Sequence, residues 1–292
     1  MTSFDSPLAW GTGSSFGQIS SDDQALSLIE TCLRNGIRRF DTGASYAMGR
    51  SESLLGSCLK RIGVDRSSLI LSTKIGSLPP AKFWGPTLKD FSPDTTIRLL
   101  MRSLENLQTE YIDIVFFHSL PSDRDSCGLA LEVLGSFKHE GRIRSIGVSA
   151  HSVDELQWLV CNHEQFDVLM THYNPLVAAR SEPYLRDLAN KGLLIYGSAP
   201  FASGLLYRKR DLLDLSRPHS SCFKIARNYK RALHLDADSQ LLLQMCRDKV
   251  ANGLIDPLSF SLESDVVDVT VFGSLSRSKV ESYCDLASRL ST

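Results

Sequence analysis

Short apolar runs, many of them β-branched, punctuate the chain from end to end. Eight stand out: 8–10, 39–40, 69–73, 112–117, 145–148, 168–170, 193–196 and 269–272. Most are nearly continuous in apolarity instead of alternating, the pattern of parallel strands covered on both faces. Between them the spacing changes to that of helices. Over 22–35, Ala25, Leu28, Ile29, Cys32 and Leu33 share one face, and Gly36 is placed to stop the helix. Ser92-Pro93-Asp94 reads as a cap and first turn, opening a helix that carries Ile97, Leu100, Met101, Leu104 and Leu107. Further helices fit 51–61, 128–140, 152–163, 181–191, 238–252 and 277–290.

Strand and helix in strict alternation predict a parallel sheet with right-handed crossovers. Eight such units without a composition break predict an α/β fold, a (β/α)8 TIM barrel occupying 1–292 as a single domain. An open dinucleotide fold is disfavoured, because Gly11-Thr12-Gly13 after the first run has no third glycine in register. Two connections are long, 78–91 after the third run and 205–236 after the seventh. In a barrel both fall on the C-terminal face, where active sites are built.

Composition narrows the function. Hydrophobic residues make up 42% and charged residues 22%, as in ordinary globular proteins. A formal net charge of -1 supplies no basic field, so nucleic acid and anionic membranes are not expected partners. The seven cysteines are scattered without a C-x-x-C or Cys/His cluster, which argues against a disulfide framework or a zinc site. No secretory signal and no apolar run of membrane-spanning length is visible, so a cytoplasmic protein is expected.

Polar residues at the predicted strand ends carry the chemistry. The second strand leads to Asp41, with Tyr46 five residues on; the third ends at Lys74 and the fourth at His118. Singly each has a structural reading: a cap, a loop tyrosine, a paired lysine, a satisfied core histidine. Lys74 is the hardest to dismiss, because an inward ammonium must be paired. Together the four converge on one mouth. A phenol titrates near 10, and an adjacent ammonium held by a carboxylate is expected to lower that value and ready Tyr46 for proton donation. His118 would orient a carbonyl, and a separate hydride carrier is required.

The segments around these residues resemble the aldo-keto reductases. They are Phe40-Asp41-Thr42 through Tyr46, Gly49-Arg50-Ser51-Glu52 with Leu55-Gly56, Ser72-Thr73-Lys74, Tyr111-Ile112-Asp113 with His118, Gly141 through Ser149, and Tyr173-Asn174-Pro175-Leu176. The resemblance implies a catalytic tetrad of Asp41, Tyr46, Lys74 and His118, and a bound NADP(H), with NAD(H) as the alternative. On the cofactor side it points to Gly11, Thr12, Asp41, Ser149, Met170, Ser198, Pro200, Gly204, Gly273, Ser274, Arg277 and Lys279.

Three of the four nicotinamide contacts depart from the pattern. Ser149 is kept, but Ala150 stands in place of asparagine, Met170 of glutamine, and Ser198 of the stacking aromatic. His151, His172 or Tyr173 is available to compensate. Lys279 matches the position facing the adenosine 2′-phosphate, with Arg277 beside it. Gly204-Leu205-Leu206 and the basic 208–210 segment would close over the pyrophosphate. Phe83, Trp84 and Tyr229 would complete the pocket. The expected activity is reduction of an aldehyde or ketone, or oxidation of the matching alcohol or sugar. Two alternatives are a nucleotide-binding regulatory subunit like the potassium-channel beta subunits, and an aldolase using Lys74 as a Schiff base.

Overall fold

The computed structural model describes residues 6–78, 88–121, 123, 125–207 and 237–290. Eight strands appear where the apolar runs stand: β1 (Leu8–Gly11), β2 (Arg39–Asp41), β3 (Ile70–Ile75), β4 (Ile112–Phe117), β5 (Ile143–Ser149), β6 (Val168–His172), β7 (Leu194–Ser198) and β8 (Val269–Phe272). Each pairs in parallel with the next, and β8 pairs back onto β1. The result is a closed eight-stranded barrel, as the alternation predicts.

The helices are α1 (Gly13–Phe16), α2 (Asp22–Arg34), α3 (Arg50–Ile62), α4 (Pro93–Leu107), α5 (Asp125–His139), α6 (Val153–Cys161), α7 (Ala178–Asn190), α8 (Ala237–Ala251), α9 (Pro257–Leu262) and α10 (Arg277–Leu290). The short α1 and α9 are additions to the predicted set. Four residues of α1 are too few for a helical period to register. In α9 the signal is a cap: Asp256 accepts from the backbone N–H groups of Leu258 and Ser259, with Pro257 at the first helical position.

Apolar residues divide into two layers. Ala9, Ile114, Phe116, Val168, Met170, Tyr196, Val269 and Val271 fill the barrel interior. A larger layer, including Trp10, Phe40, Leu71, Val115 and Phe117, packs the outer strand faces against the helices. Alternate residues of one strand therefore serve different layers, and both are apolar, which is why the runs read as continuous. The interior is packed tightly enough that a Cβ on Gly147 would stand 2.4 Å from the Phe116 ring.

The two ends of the barrel differ in kind. At the N-terminal end Arg66 donates to Asp113 at 2.6 Å, and the guanidinium groups of Arg66 and Arg144 lie 4.0 and 4.1 Å from the Tyr111 ring centroid. That is a clamp. On the flank of the other end, the buried Glu52 of α3 accepts from Thr73 on β3 (2.5 Å) and from Ser103 (2.7 Å) and Asn106 (3.1 Å) of α4. It locks the two helices onto the strand that carries Lys74. Among the described residues no helix is long and apolar enough to cross a membrane.

Candidate active site

Lys74 projects inward near the end of β3, on the same strand face as Ser72 two residues earlier. Its Nζ donates to Asp41 Oδ1 at 2.8 Å, to Oδ2 at 2.6 Å and to the Thr42 carbonyl at 2.6 Å. Three partners satisfy the three N–H bonds of an ammonium. Ser72 donates to Asp41 Oδ1 at 2.8 Å, so the carboxylate is served from two sides. Asp41 and Lys74 are 5% and 3% exposed, and at that depth an ion pair persists only with such complete bonding. Burial lowers the Lys74 pKa; the charge of Asp41 and the hydrogen bonds to it outweigh that, a Tyr46 phenolate would add to them, and the ammonium is held above its usual value.

Tyr46 stands over this pair, with Lys74 Nζ 4.9 Å from its ring centroid. The ring lies on Gly43, where a Cβ would meet its atoms at 3.3–3.4 Å. The chain then passes through three successive left-handed residues, Ala47 (φ 48°), Met48 (φ 62°) and Gly49 (φ 90°). Two of these are not glycine, a strain of about 1–2 kcal/mol each. The surroundings hold it: Arg102 of α4 donates to the Met48 carbonyl (3.3 Å), Ser51 donates to the Gly13 carbonyl (2.8 Å), and a Cβ on Gly17 would stand 2.6 Å from Ala47 Cβ. The expected lowering of the phenol pKa is not what the structure gives. Burial raises it, Lys74 pulls it back by charge and hydrogen bonding, Asp41 pushes up again, and the net shift is upward. Tyr46 is a neutral phenol here, because desolvation of the phenolate outweighs one cation already paired with Asp41.

His118 follows β4 and meets Tyr46 edge to face, with ring centroids 5.5 Å apart. The Ser45 hydroxyl lies 3.4 Å from its Nδ1. Burial, then the charges of Lys74 and Lys89, hold its pKa down at about 3, so the ring is neutral near pH 7. Lys89 is placed by an antiparallel bridge to Ser77 and donates to Ser119, the residue after His118. The structure thus brings Asp41, Tyr46, Lys74 and His118 to one mouth. It adds Thr42, Ser45 and Ser72, of which only Ser72 had a readable signal, its i−2 position to Lys74 on an inward strand face.

The predicted cofactor residues fall into three groups. Gly11, Ser149 and Ser198 end β1, β5 and β7, Thr12 and Gly273 follow β1 and β8, and Met170 lies mid-way along β6, paired with Ser149. Ser149 is 1% exposed, and its Oγ has no hydrogen-bond partner among the described residues. Thr12 donates to Thr42 at 3.0 Å, Met170 is packed in the barrel interior, and Ser198 donates to the Thr171 carbonyl at 2.8 Å. Gly11 and Gly273 approach so closely that a Cβ on Gly273 would meet the Gly11 carbonyl at 3.1 Å. Pro200 and Gly204 belong to the turn after β7, where Ala199, Ala202, Ser203 and Gly204 all have positive φ and Arg247 of α8 donates to the Leu205 carbonyl at 2.7 Å. In the third group, Ser274 Oγ accepts from Ser276 N–H, Arg277 donates to Ser27 of α2 at 2.9 Å, and Lys279 is exposed on the first turn of α10. The Arg277 contact is with a neighbouring helix, a structural role that the sequence did not separate from phosphate binding. Residues 208–210, Phe83, Trp84 and Tyr229 lie outside the described residues.

Of the candidates to compensate for Ala150, Met170 and Ser198, Tyr173 is buried and tied to Glu182 (2.7 Å) and Ser264 (2.9 Å). His151 and His172 are stacked on each other, with centroids 4.0 Å apart and planes at 19°.

Comparison with known proteins bears on the fold and the family. The chain is 31% identical over 202 residues to the L-galactose dehydrogenase of Arabidopsis thaliana, covering 66% of this chain and 60% of that relative's length. A Pseudomonas aeruginosa protein assigned to the aldo-keto reductases superposes with a TM-score of 0.69 at 23% identity, over 97% of this chain and 89% of its own. An aldo-keto reductase from Bacillus halodurans, solved in its holo form, gives 0.68 at 22% identity, over 96% and 85%. These two show the shared fold. The model of the Aldo/keto reductase family matches residues 7–287, nearly the whole barrel and every strand end described above, and the chain belongs to that family.

Proposed function

We propose that this protein is an oxidoreductase that interconverts a small carbonyl compound and its alcohol, with Tyr46 giving or taking the proton. The observation that carries this reading is the buried Asp41–Lys74 pair beside a neutral phenol at the C-terminal mouth. In reduction the Tyr46 O–H donates to the carbonyl oxygen as negative charge builds there. Lys74, fixed by Asp41 and Thr42, faces the phenolate that forms, so its charge counts most after the proton has left. This is stabilisation that strengthens along the reaction. In the tautomer in which Nδ1 accepts from the Ser45 hydroxyl, the proton of neutral His118 is on Nε2 and is a second donor to the substrate oxygen. Alcohol oxidation runs the same path backwards.

A nicotinamide bound at the mouth supplies or accepts the hydride. The residues present fit one: the orphaned Ser149 hydroxyl is a buried polar group of the kind a carboxamide satisfies, and across the barrel, at the ends of β1 and β8, Gly11 and Gly273 carry no side chain. Thr12, Pro200, Gly204 and Ser274 would border the remainder, and Lys279 would meet a 2′-phosphate, which favours NADP(H) over NAD(H). Turnover at limiting concentrations of each cofactor checks this, and a faster rate with NAD(H) would refute the phosphate assignment. Similarity to an L-galactose dehydrogenase favours a sugar as the substrate class. The proton role is tested by Tyr46→Phe, which should lower kcat by about 10²–10⁴ while the cofactor Kd, read by fluorescence titration, stays within twofold. Full activity in that variant would sink the assignment.

A further inference from the structure

Glu52 is wholly buried on the first turn of α3, and the chemistry just described makes no use of it. Its carboxyl group enters no ion pair among the described residues. Three neutral donors serve it instead: Thr73 of β3 at 2.5 Å, and Ser103 and Asn106 of α4 at 2.7 and 3.1 Å. A buried acid is a costly way to join two helices to a strand, since apolar packing of the same volume often holds as well or better. What hydrogen bonds add is direction and a fixed length. That addition matters where a functional group must be held to about 0.5 Å.

Both members of the proton-transfer pair are reached from this one carboxyl group. Thr73 and Lys74 are neighbours on β3 and face opposite sides of the sheet, so the hydroxyl held by Glu52 backs the ammonium held by Asp41. In the other direction, Glu52 stands three residues after Gly49, the last of the left-handed residues through which the chain leaves Tyr46. Two residues of α4 close on that turn. A Cβ on Gly49 would stand 3.4 Å from Asn106 Nδ2 and 3.2 Å from Arg102 Nη2, and Arg102 also donates to the Met48 carbonyl. One turn further along α3, a Cβ on Gly56 would stand 2.4 Å from the Asn106 carbonyl oxygen, so α3 and α4 meet backbone to backbone without slack. The Glu52–Thr73 bond ties this rigid pair to the strand that carries Lys74. Tyr46 is thus supported from α3 and Lys74 from β3, and the two supports join at Glu52.

We propose that Glu52 is the positioning residue of the proton-transfer pair, setting the separation of the Tyr46 phenol and the Lys74 ammonium from behind the sheet. This rests on the oxidoreductase reading above. The test uses the best substrate from a panel of aldoses, simple aldehydes and their alcohols, offered with each nicotinamide cofactor. Glu52→Gln keeps the shape of the side chain and replaces one acceptor with a donor. It should lower kcat about tenfold, while KM and the cofactor Kd, read by fluorescence titration, stay within about twofold. A crystal structure of the variant should show Lys74 Nζ further than 4.9 Å from the Tyr46 ring centroid. Adding Asn106→Asp, so that the new amide donates to a new carboxylate, should recover most of the rate. If Glu52→Gln fails to fold, Thr73→Val cuts the link on the strand side with the acid left in place, and the same fall in kcat is expected. A lower urea midpoint with kcat per folded molecule unchanged is the result of a merely structural role, and it overturns the proposal. So does a loss of rate matched by a rise in cofactor Kd, an unmoved Tyr46–Lys74 pair in a slowed enzyme, or a double variant that recovers nothing. If the unmodified protein turns over no compound of the panel, the oxidoreductase reading itself has failed, a result distinct from an unchanged kcat in an active enzyme.

Discussion

Replacing Lys74 with methionine would remove the cation and keep most of the side-chain volume. The buried Asp41 carboxylate would lose two hydrogen bonds, of 2.8 and 2.6 Å, and keep one from Ser72; the Thr42 carbonyl would lose its 2.6 Å donor. Breaking a buried pair on one side typically costs about 3–5 kcal/mol, mostly the desolvated charge left behind. At this chain length that is a fall in Tm of roughly 6–10 °C, at about 2 °C per kcal/mol. Asp41→Asn in the same chain removes the stranded charge, so the double variant should be more stable than Lys74→Met alone. The assay is thermal and urea unfolding of the four proteins of the cycle, whose coupling energy isolates the pair. If Lys74→Met came within about 1 kcal/mol of the parent, the carboxylate would have to be protonated or hydrated in the folded protein. The electrostatic account of the site would then be wrong.

Gly43→Ala tests how closely the ring of Tyr46 is placed. Gly43 has no positive φ, so its backbone accepts alanine, but the methyl would press on the ring at 3.3–3.4 Å. We expect kcat to fall about tenfold with stability nearly unchanged; an unaltered kcat would mean the ring can give way freely. The pH dependence of stability should carry the signature of His118. Its folded pKa of about 3 lies below the ordinary 6.5, so between those values the unfolded chain binds a proton that the folded chain does not. Stability from this group is complete above pH 6.5 and is lost as pH falls toward 3. From pH 7 to 5 that is at most about 2 kcal/mol, and roughly 1 after screening of a partly exposed ring. His118→Gln should remove that part of the slope in urea midpoints, and an identical slope would refute it.

The barrel was legible because each strand is apolar on both faces and each helix on one. Period and length alone separate those patterns, and closure follows from eight repeats that must leave no open edge. The positions of Asp41, Lys74 and His118 were legible for the same reason, since a polar group ending such a run has only the mouth to occupy. What the linear chain left open is everything that depends on distance. The direction of the Tyr46 shift is one case: the neighbours were correctly named, but burial, a property of the packed state, outweighs them. Arg277 is another, since its partner Ser27 comes from a helix 250 positions away. The His151–His172 stack is the third. Nothing local relates the two residues; only the β5–β6 register sets them face to face. Side-chain identity decided which groups reach the mouth, and the closed sheet decided which of them touch.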